Sequence, residues 1–344
     1  MTNRRPRLIA TEEAFATPEL LAAMRELGPG PDRMLEMGGI WGRLRDNAPS
    51  ALMDALLDLG EGRLAAMDAA GIDMHLLSLT SPGVQLLDAA TATEVAARSN
   101  DRLAAAVARH PTRFAGLAAV APQDPAGAAA EIERAMRTLR LNGVVINSHT
   151  DGEYLDQPGF EPILAAAEAF GAAIYLHPRR PPAIFDAVMA NDVMDLSAGM
   201  WGFAAETSLH AVRLIMSGAF DRHPGLRLVL GHMGEGLPFW LYRLDYMYHV
   251  DRRLRGRTRP ERPPSDYFRT NIAITTSGMN HLPALEYCIA VLGTENLMFA
   301  IDYPYQETGE AAAFIRSARL SEAERDRIFF ANAERIFHIA PATA

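Results

Sequence analysis

The chain has 344 residues, 49% of them hydrophobic and 22% charged, with a net charge of −9. That balance is ordinary for a globular protein and gives no support to nucleic-acid binding, and no apolar run approaches the roughly 18 residues of a membrane span. All 33 basic residues are arginine, which excludes Schiff-base catalysis, a pyridoxal phosphate anchor, a phosphate-loop lysine and a carbamylated-lysine metal bridge.

The opening MTNRRPRLIATEEAF has two basic clusters and no apolar core, so no secretory leader is expected. A first strand is predicted over 7–11 (RLIAT), running into the adjacent carboxylates Glu12 and Glu13. Residues 25–50 are rich in Gly and Pro and read as a long inserted loop over the face where strands end. Further strands are predicted at 72–80, 114–121, 143–148, 173–177, 226–231, 271–276 and 297–302. Helical stretches such as TEVAARSNDRLAAAVARH and AGAAAEIERAMRTLR separate them. Near-continuous apolar strands suit a parallel sheet buried on both faces. Residues 236–264 begin aromatic and amphipathic and end basic and Pro-rich, the pattern of an exposed element that docks on a partner or of an ordinary outer helix and its loop. Eight strands alternating with helices predict an α/β fold, a (β/α)8 TIM-like barrel, in one domain over 1–344. The loop after strand 1 and the helical segment after strand 6 are additions to it. The single cysteine, Cys288, excludes an internal disulfide and suits a cytoplasmic location.

Barrel enzymes place their chemistry where strands end. Strand 1 ends at Glu12-Glu13, strand 5 at His177-Pro178, strand 6 at Gly231-His232 and strand 8 at Asp302-Tyr303-Pro304-Tyr305. Two acids and two imidazoles thus reach one rim from four strands. Carboxylates and imidazoles without thiolates suit Zn2+, Mn2+ or a similar divalent ion. Side-chain alternation sets Glu12 and Ala14 on one face of the strand and Glu13 on the other, without deciding which face looks into the mouth. By position, His149 at the end of strand 4 also faces the mouth, as a candidate substrate-binding residue or a structural one, and Arg179 and Arg180 lie near it.

The stretches IATEEAF, MDAAGID, LTSPGVQ, VAPQDP, INSHT, YLHP, LGHMGEGLPFWLYRLDYM and AIDYPYQ span nearly the whole chain. They resemble the metal-dependent aromatic-acid decarboxylases of the amidohydrolase superfamily. Within that branch the sequence is more similar to the 5-carboxyvanillate decarboxylases than to the γ-resorcylate decarboxylases. The former type looks like Glu-x-Ala at positions 12–14, the latter like Glu-x-His. The resemblance implies one divalent ion, Mn2+ or Zn2+, held by Glu12, His177 and Asp302, with His232 close by as ligand or acid–base group and Glu13 a support residue facing the helical layer or the subunit body. It implies that Asp302 also protonates a ring carbon of an ortho-hydroxy aromatic acid, with His232 assisting, before CO2 leaves. Tyr305 and Arg45, or its neighbour Arg43, are implied in substrate binding, together with Arg243 reaching in from a second subunit of a homodimer or homotetramer. Two other readings share the scaffold: a single-metal hydrolase, lactonase or hydratase, and a non-catalytic binding barrel. The decarboxylase-type residues from LGHMGEGLP through DYPYQ favour the lyase over the first. The four rim residues argue against the second.

Overall fold

The computed structural model describes residues 6–28, 50–189 and 195–341. Its strands are β1 (Ile9–Phe15), β2 (Met74–Leu79), β3 (Phe114–Ala119), β4 (Gly143–Asn147), β5 (Ile174–His177), β6 (Leu228–Leu230), β7 (Ile272–Thr275) and β8 (Leu297–Met298). They follow one another in a single eight-stranded sheet, every successive pair parallel. Backbone bonds between the two end strands close the cylinder. Thr11 N–H donates to Phe299 O at 3.1 Å, Asp302 N–H to Glu12 O at 3.1 Å and Ala14 N–H to Tyr303 O at 2.7 Å. The predicted (β/α)8 barrel is the fold observed.

Alternation along the strands makes two cores. Ile9, Leu76, Leu117, Val145, Tyr175, Val229 and Met298 fill the inside, and Ile336, Phe337 and Ile339 of the C-terminal segment pack into the same cluster. Leu77, Val144, Ile146, Ile174, Leu228 and Ile274 point outward into a larger cluster shared with the helices. The helix Ala89–Arg109 shows why those helices form where they do. Asp88 caps its first turn by accepting from Thr91 N, and Ala92, Val95, Ala96, Ser99, Leu103 and Ala106 make a buried stripe. Among the described residues no helix is long and apolar enough to cross a membrane.

The first and last strands depart from their predicted limits. β1 runs to Phe15 because it carries a bulge: from Ala10 to Glu13 it takes three steps where β2 takes two, from His75 to Leu77. Strict alternation from inward-facing Ile9 would turn Glu13 inward. With the extra residue, Glu13 sits opposite outward-facing Leu77 and Phe15 opposite outward-facing Leu79. Glu12 is left pointing into the barrel. β8 is only two residues long because the chain beyond it bonds to β1 irregularly and Asp302 takes a φ of +78°. Arg43 and Arg45 lie outside the described residues, as does most of the predicted loop at 25–50.

Candidate metal centre

Glu12, His177 and Asp302 converge at the mouth of the barrel, with one ligand atom from each lying within 4.8 Å of the others. Glu12 is the deepest of the three, its side chain almost fully buried beneath a His177 Nε2 that stands 3.4 Å from Oε1. His177 Nδ1 is 2.8 Å from Pro178 O, so that nitrogen carries the proton and Nε2 keeps its lone pair for a ligand. Among the described residues Glu12 Oε1 is buried without a hydrogen-bond partner. An orphaned buried carboxylate oxygen, a second carboxylate and a free imidazole nitrogen form a donor set that fits a divalent cation. Glu12 and His177 would hold it from the floor and one side, Asp302 from another.

His232 completes the rim. Its Nε2 is 3.9 Å from Glu12 Oε1 and 3.8 Å from Asp302 Oδ2, and its Nδ1 donates to buried Glu235 Oε1 at 2.8 Å. The backbone there is unusual: five successive residues from His232 to Gly236 have φ between +49° and +76°. For the non-glycine residues such a left-handed turn costs roughly 1–2 kcal/mol each. It folds Glu235 back beneath the imidazole of His232, and strain of this kind persists where surrounding structure enforces it. Burial by itself would lower the His232 pKa, but the carboxylates of Glu235, Glu12 and Asp302 outweigh it and hold the imidazole well above its ordinary value. Burial also raises Asp302 above the usual carboxylate range; the charge of Glu12 adds to this and His232 opposes it.

The other sequence-predicted residues divide. Tyr305 lies at the mouth, its hydroxyl 2.6 Å from Thr80 Oγ1 and its ring packed with Leu52 against Ala14, Ala16 and Leu56. Ala14 thus contributes to an apolar wall where a ligand would otherwise stand. His149 is a correction to the sequence reading. It is fully buried, with Nδ1 accepting from Gly152 N at 3.1 Å and Nε2 donating to Arg180 O at 2.9 Å. Both ring nitrogens are committed to backbone, so the ring ties the end of β4 to the segment after β5 and has none left for a substrate. Burial brings its pKa down to about 3. Arg179 is buried and donates to His149 O, while Arg180 forms a two-point pair with Asp195 at 2.7 and 3.1 Å. Arg243 is on the exposed side of the helix Leu237–Arg255, its guanidinium 5.9 Å from the ring of Tyr246.

Several residues of the site escaped the sequence reading. Tyr175, Thr275 and Ser277 all direct hydroxyls at Glu12, and Glu235 supports His232. One signal was available for Tyr175, which is two residues before His177 and therefore on the same face of β5. The run Thr275-Thr276-Ser277 at the end of an apolar strand was another.

Known proteins resemble this chain in sequence and in fold. The amidohydrolase family profile matches residues 51–339. A γ-resorcylate decarboxylase from Polaromonas sp. strain JS666 is 37% identical over 343 residues, covering 96% of this chain and 98% of that one. The 5-carboxyvanillate decarboxylase of Sphingomonas paucimobilis has a similar structure, with a TM-score of 0.90 and 48% identity over 97% of this chain and 99% of its own. That of Novosphingobium aromaticivorans, solved with manganese and 4-hydroxy-3-methoxy-5-nitrobenzoic acid, gives 0.89 and 39% over 98% and 97%. The chain belongs to the amidohydrolase family.

Proposed function

We propose that this protein is a metal-dependent, non-oxidative decarboxylase of an ortho-hydroxy aromatic acid similar to 5-carboxyvanillate. The observation that carries the reading is the convergence of Glu12, His177 and Asp302 with alanine at position 14. Relatives and structural neighbours that match almost end to end are decarboxylases of such acids, and neighbours carry manganese. When bound, the cation supplies Lewis acidity and an anchor for the substrate's neighbouring phenol and carboxylate oxygens. An oxygen-rich donor set with one imidazole suits Mn2+, with Zn2+ as the alternative.

Asp302 carries the proton to the ring carbon bearing the carboxylate. As that carbon gains hydrogen, its bond to the carboxylate breaks, the electron pair returns to the ring and CO2 leaves. No oxidant is required. His232, 3.8 Å from Asp302 and steadied by Glu235, returns a proton to the aspartate. Tyr305 lines the mouth against the aromatic ring, and Arg45 and Arg243 bind the substrate's second anionic group. A fork of two N–H donors suits a carboxylate, and the chain has no lysine to take that part. Arg243 is supplied by a neighbouring subunit. The helix that carries it exposes Phe239, Trp240, Tyr242 and Tyr246, Tyr242 to 84%, an aromatic surface that a second copy would cover in a homodimer or homotetramer. The single, buried Cys288 accords with a cytoplasmic site of action.

The test is direct. Metal-free protein, reloaded with Mn2+ or Zn2+, is given 5-carboxyvanillate and a panel of ortho-hydroxybenzoates, with Glu12→Ala as control. Metal-dependent CO2 release, absent in the control, is expected. A panel left intact by protein that holds its metal would overturn the reading and turn attention to lactones and other hydrolase substrates.

A further inference from the structure

The two oxygens of Glu12 are treated differently by the fold. Oε2 accepts the hydroxyls of Tyr175 and Ser277, and that of Thr275 at 3.1 Å. Oε1, also buried, accepts none among the described residues. These hydroxyls come from β5, from β7 and from the residue two beyond β7, reaching across the barrel to a ligand on β1. Gly231 closes the remaining side. A Cβ there would stand 2.7 Å from Oε2 and 2.9 Å from Oε1, so only the absence of a side chain admits the carboxylate. Its φ of −70° is open to any residue, which makes the requirement one of space. Ser277 Oγ does a second job by accepting the backbone N–H of His232 at 3.0 Å.

Turning the carboxylate would strip the buried oxygen of these donors and leave each of them unpaired. We infer that Tyr175, Thr275 and Ser277 are positioning residues that clamp Glu12 as a single-oxygen ligand, offering only Oε1 to the cation. Through the His232 backbone, Ser277 also sets the distance between ligand and acid–base group. A carboxylate held to one oxygen leaves more of the cation's coordination sphere for a chelating substrate than one that binds through both. The inference rests on the metal-dependent reading above, and its test separates the two.

Metal-free full-length protein is titrated with Mn2+ alone, and unbound Mn2+ is counted from its six-line paramagnetic resonance spectrum. No substrate or turnover enters the measurement. Wild type is compared with Glu12→Ala, Ser277→Ala, Tyr175→Phe, Thr275→Val and the restoring variant Ser277→Thr. Loss of a residue that orients a ligand typically weakens metal binding about 10- to 100-fold. The expected result is a rise of that size in the Kd of Ser277→Ala and Tyr175→Phe, near wild-type binding by Ser277→Thr, and melting of the metal-free forms close to wild type. A merely structural role would lower the melting temperature of the metal-free protein and leave the Kd alone. Unchanged or tighter Mn2+ binding in both Ser277→Ala and Tyr175→Phe would overturn the clamp. If one of these two fails to fold, the other and Thr275→Val decide by the same criterion. Failure of wild type itself to bind Mn2+ more tightly than Glu12→Ala would instead refute the metal-dependent reading.

Discussion

Glu13 holds Asp302 from behind. One oxygen of the Glu13 carboxylate accepts the N–H of Ile301 and the other that of Tyr303, both at 3.0 Å, so the pair of bonds straddles the aspartate. Asp302 sits between them with a φ of +78°, a conformation its own side chain does not favour. The two glutamates therefore divide the work: Glu12 faces the candidate metal centre and Glu13 braces Asp302 across from it. Glu13→Ala would leave the buried N–H of Ile301 and the partly buried N–H of Tyr303 unpaired and should destabilise the protein by about 1–4 kcal/mol, measured by urea unfolding. Glu13→Gln keeps the shape but presents an NH2 to one of the donors. It should remain folded while losing at least about tenfold in CO2 release, as expected when the support of a ligand is damaged.

Gly231→Ala tests the space around Glu12. The backbone tolerates alanine, so the new methyl can act only on the carboxylate it would meet. Mn2+ affinity should fall by about tenfold or more with the circular dichroism spectrum unchanged. Calorimetric titration with Mn2+ is the check, and wild-type affinity in this variant would show that the carboxylate has room to shift.

A buried carboxylate outside the ligand set predicts a pH effect of its own. Glu206 is 2% exposed, on the helix Gly202–Met216, and burial raises its pKa to about 7, only partly offset by Ser148, Arg179, Tyr154 and Thr207. His210, on the same helix, bonds to Ser148 at 3.0 Å and to Leu155 N, and burial keeps it neutral with a pKa near 3. The folded state of Glu206 thus holds its proton to higher pH than the unfolded state. Stability should be greatest near and below the ordinary glutamate value of 4.5 and decline as pH rises toward 7, a total of about 3 kcal/mol. Glu206→Gln removes that decline. Chemical denaturation at pH 5 and pH 8 should show the variant gaining on wild type only at the higher pH, and equal gains at both would refute the assignment.

Arg243 can be tested by mixing subunits. Arg243→Ala and Glu12→Ala should each be nearly inactive alone, the first because the substrate's second anionic group loses its partner. If the arginine works in the neighbouring site, dimers of one subunit of each kind contain one intact site. Unfolded and refolded together in equal amounts, the two variants should recover roughly a quarter of wild-type activity in a symmetric dimer. No recovery from two variants that are each inactive alone would place Arg243 in its own subunit's site rather than its neighbour's.

Much of this protein was determined locally and could be read from the chain. Apolar runs separated by amphipathic stretches specify eight strands and their helices, because burial on both faces demands continuous hydrophobicity. Parallel topology then sends every strand end to one rim, so His177, His232 and Asp302 announced the site by where their strands stop. The family pattern supplied Glu12, which alternation could not. Tertiary structure decided the rest. A bulge in β1 reverses the parity after Ala10, and only pairing with β2 reveals it. His149 stands at the predicted strand end, yet the turn at Gly152 and the carbonyl of Arg180 take both its nitrogens. The hydroxyls on Glu12 come from residues 163 to 265 positions away, and no spacing rule links them. A strand's periodicity records which faces are buried. Which polar atoms meet inside that buried space depends on barrel closure, because closure brings β1, β5 and β7 to one carboxylate.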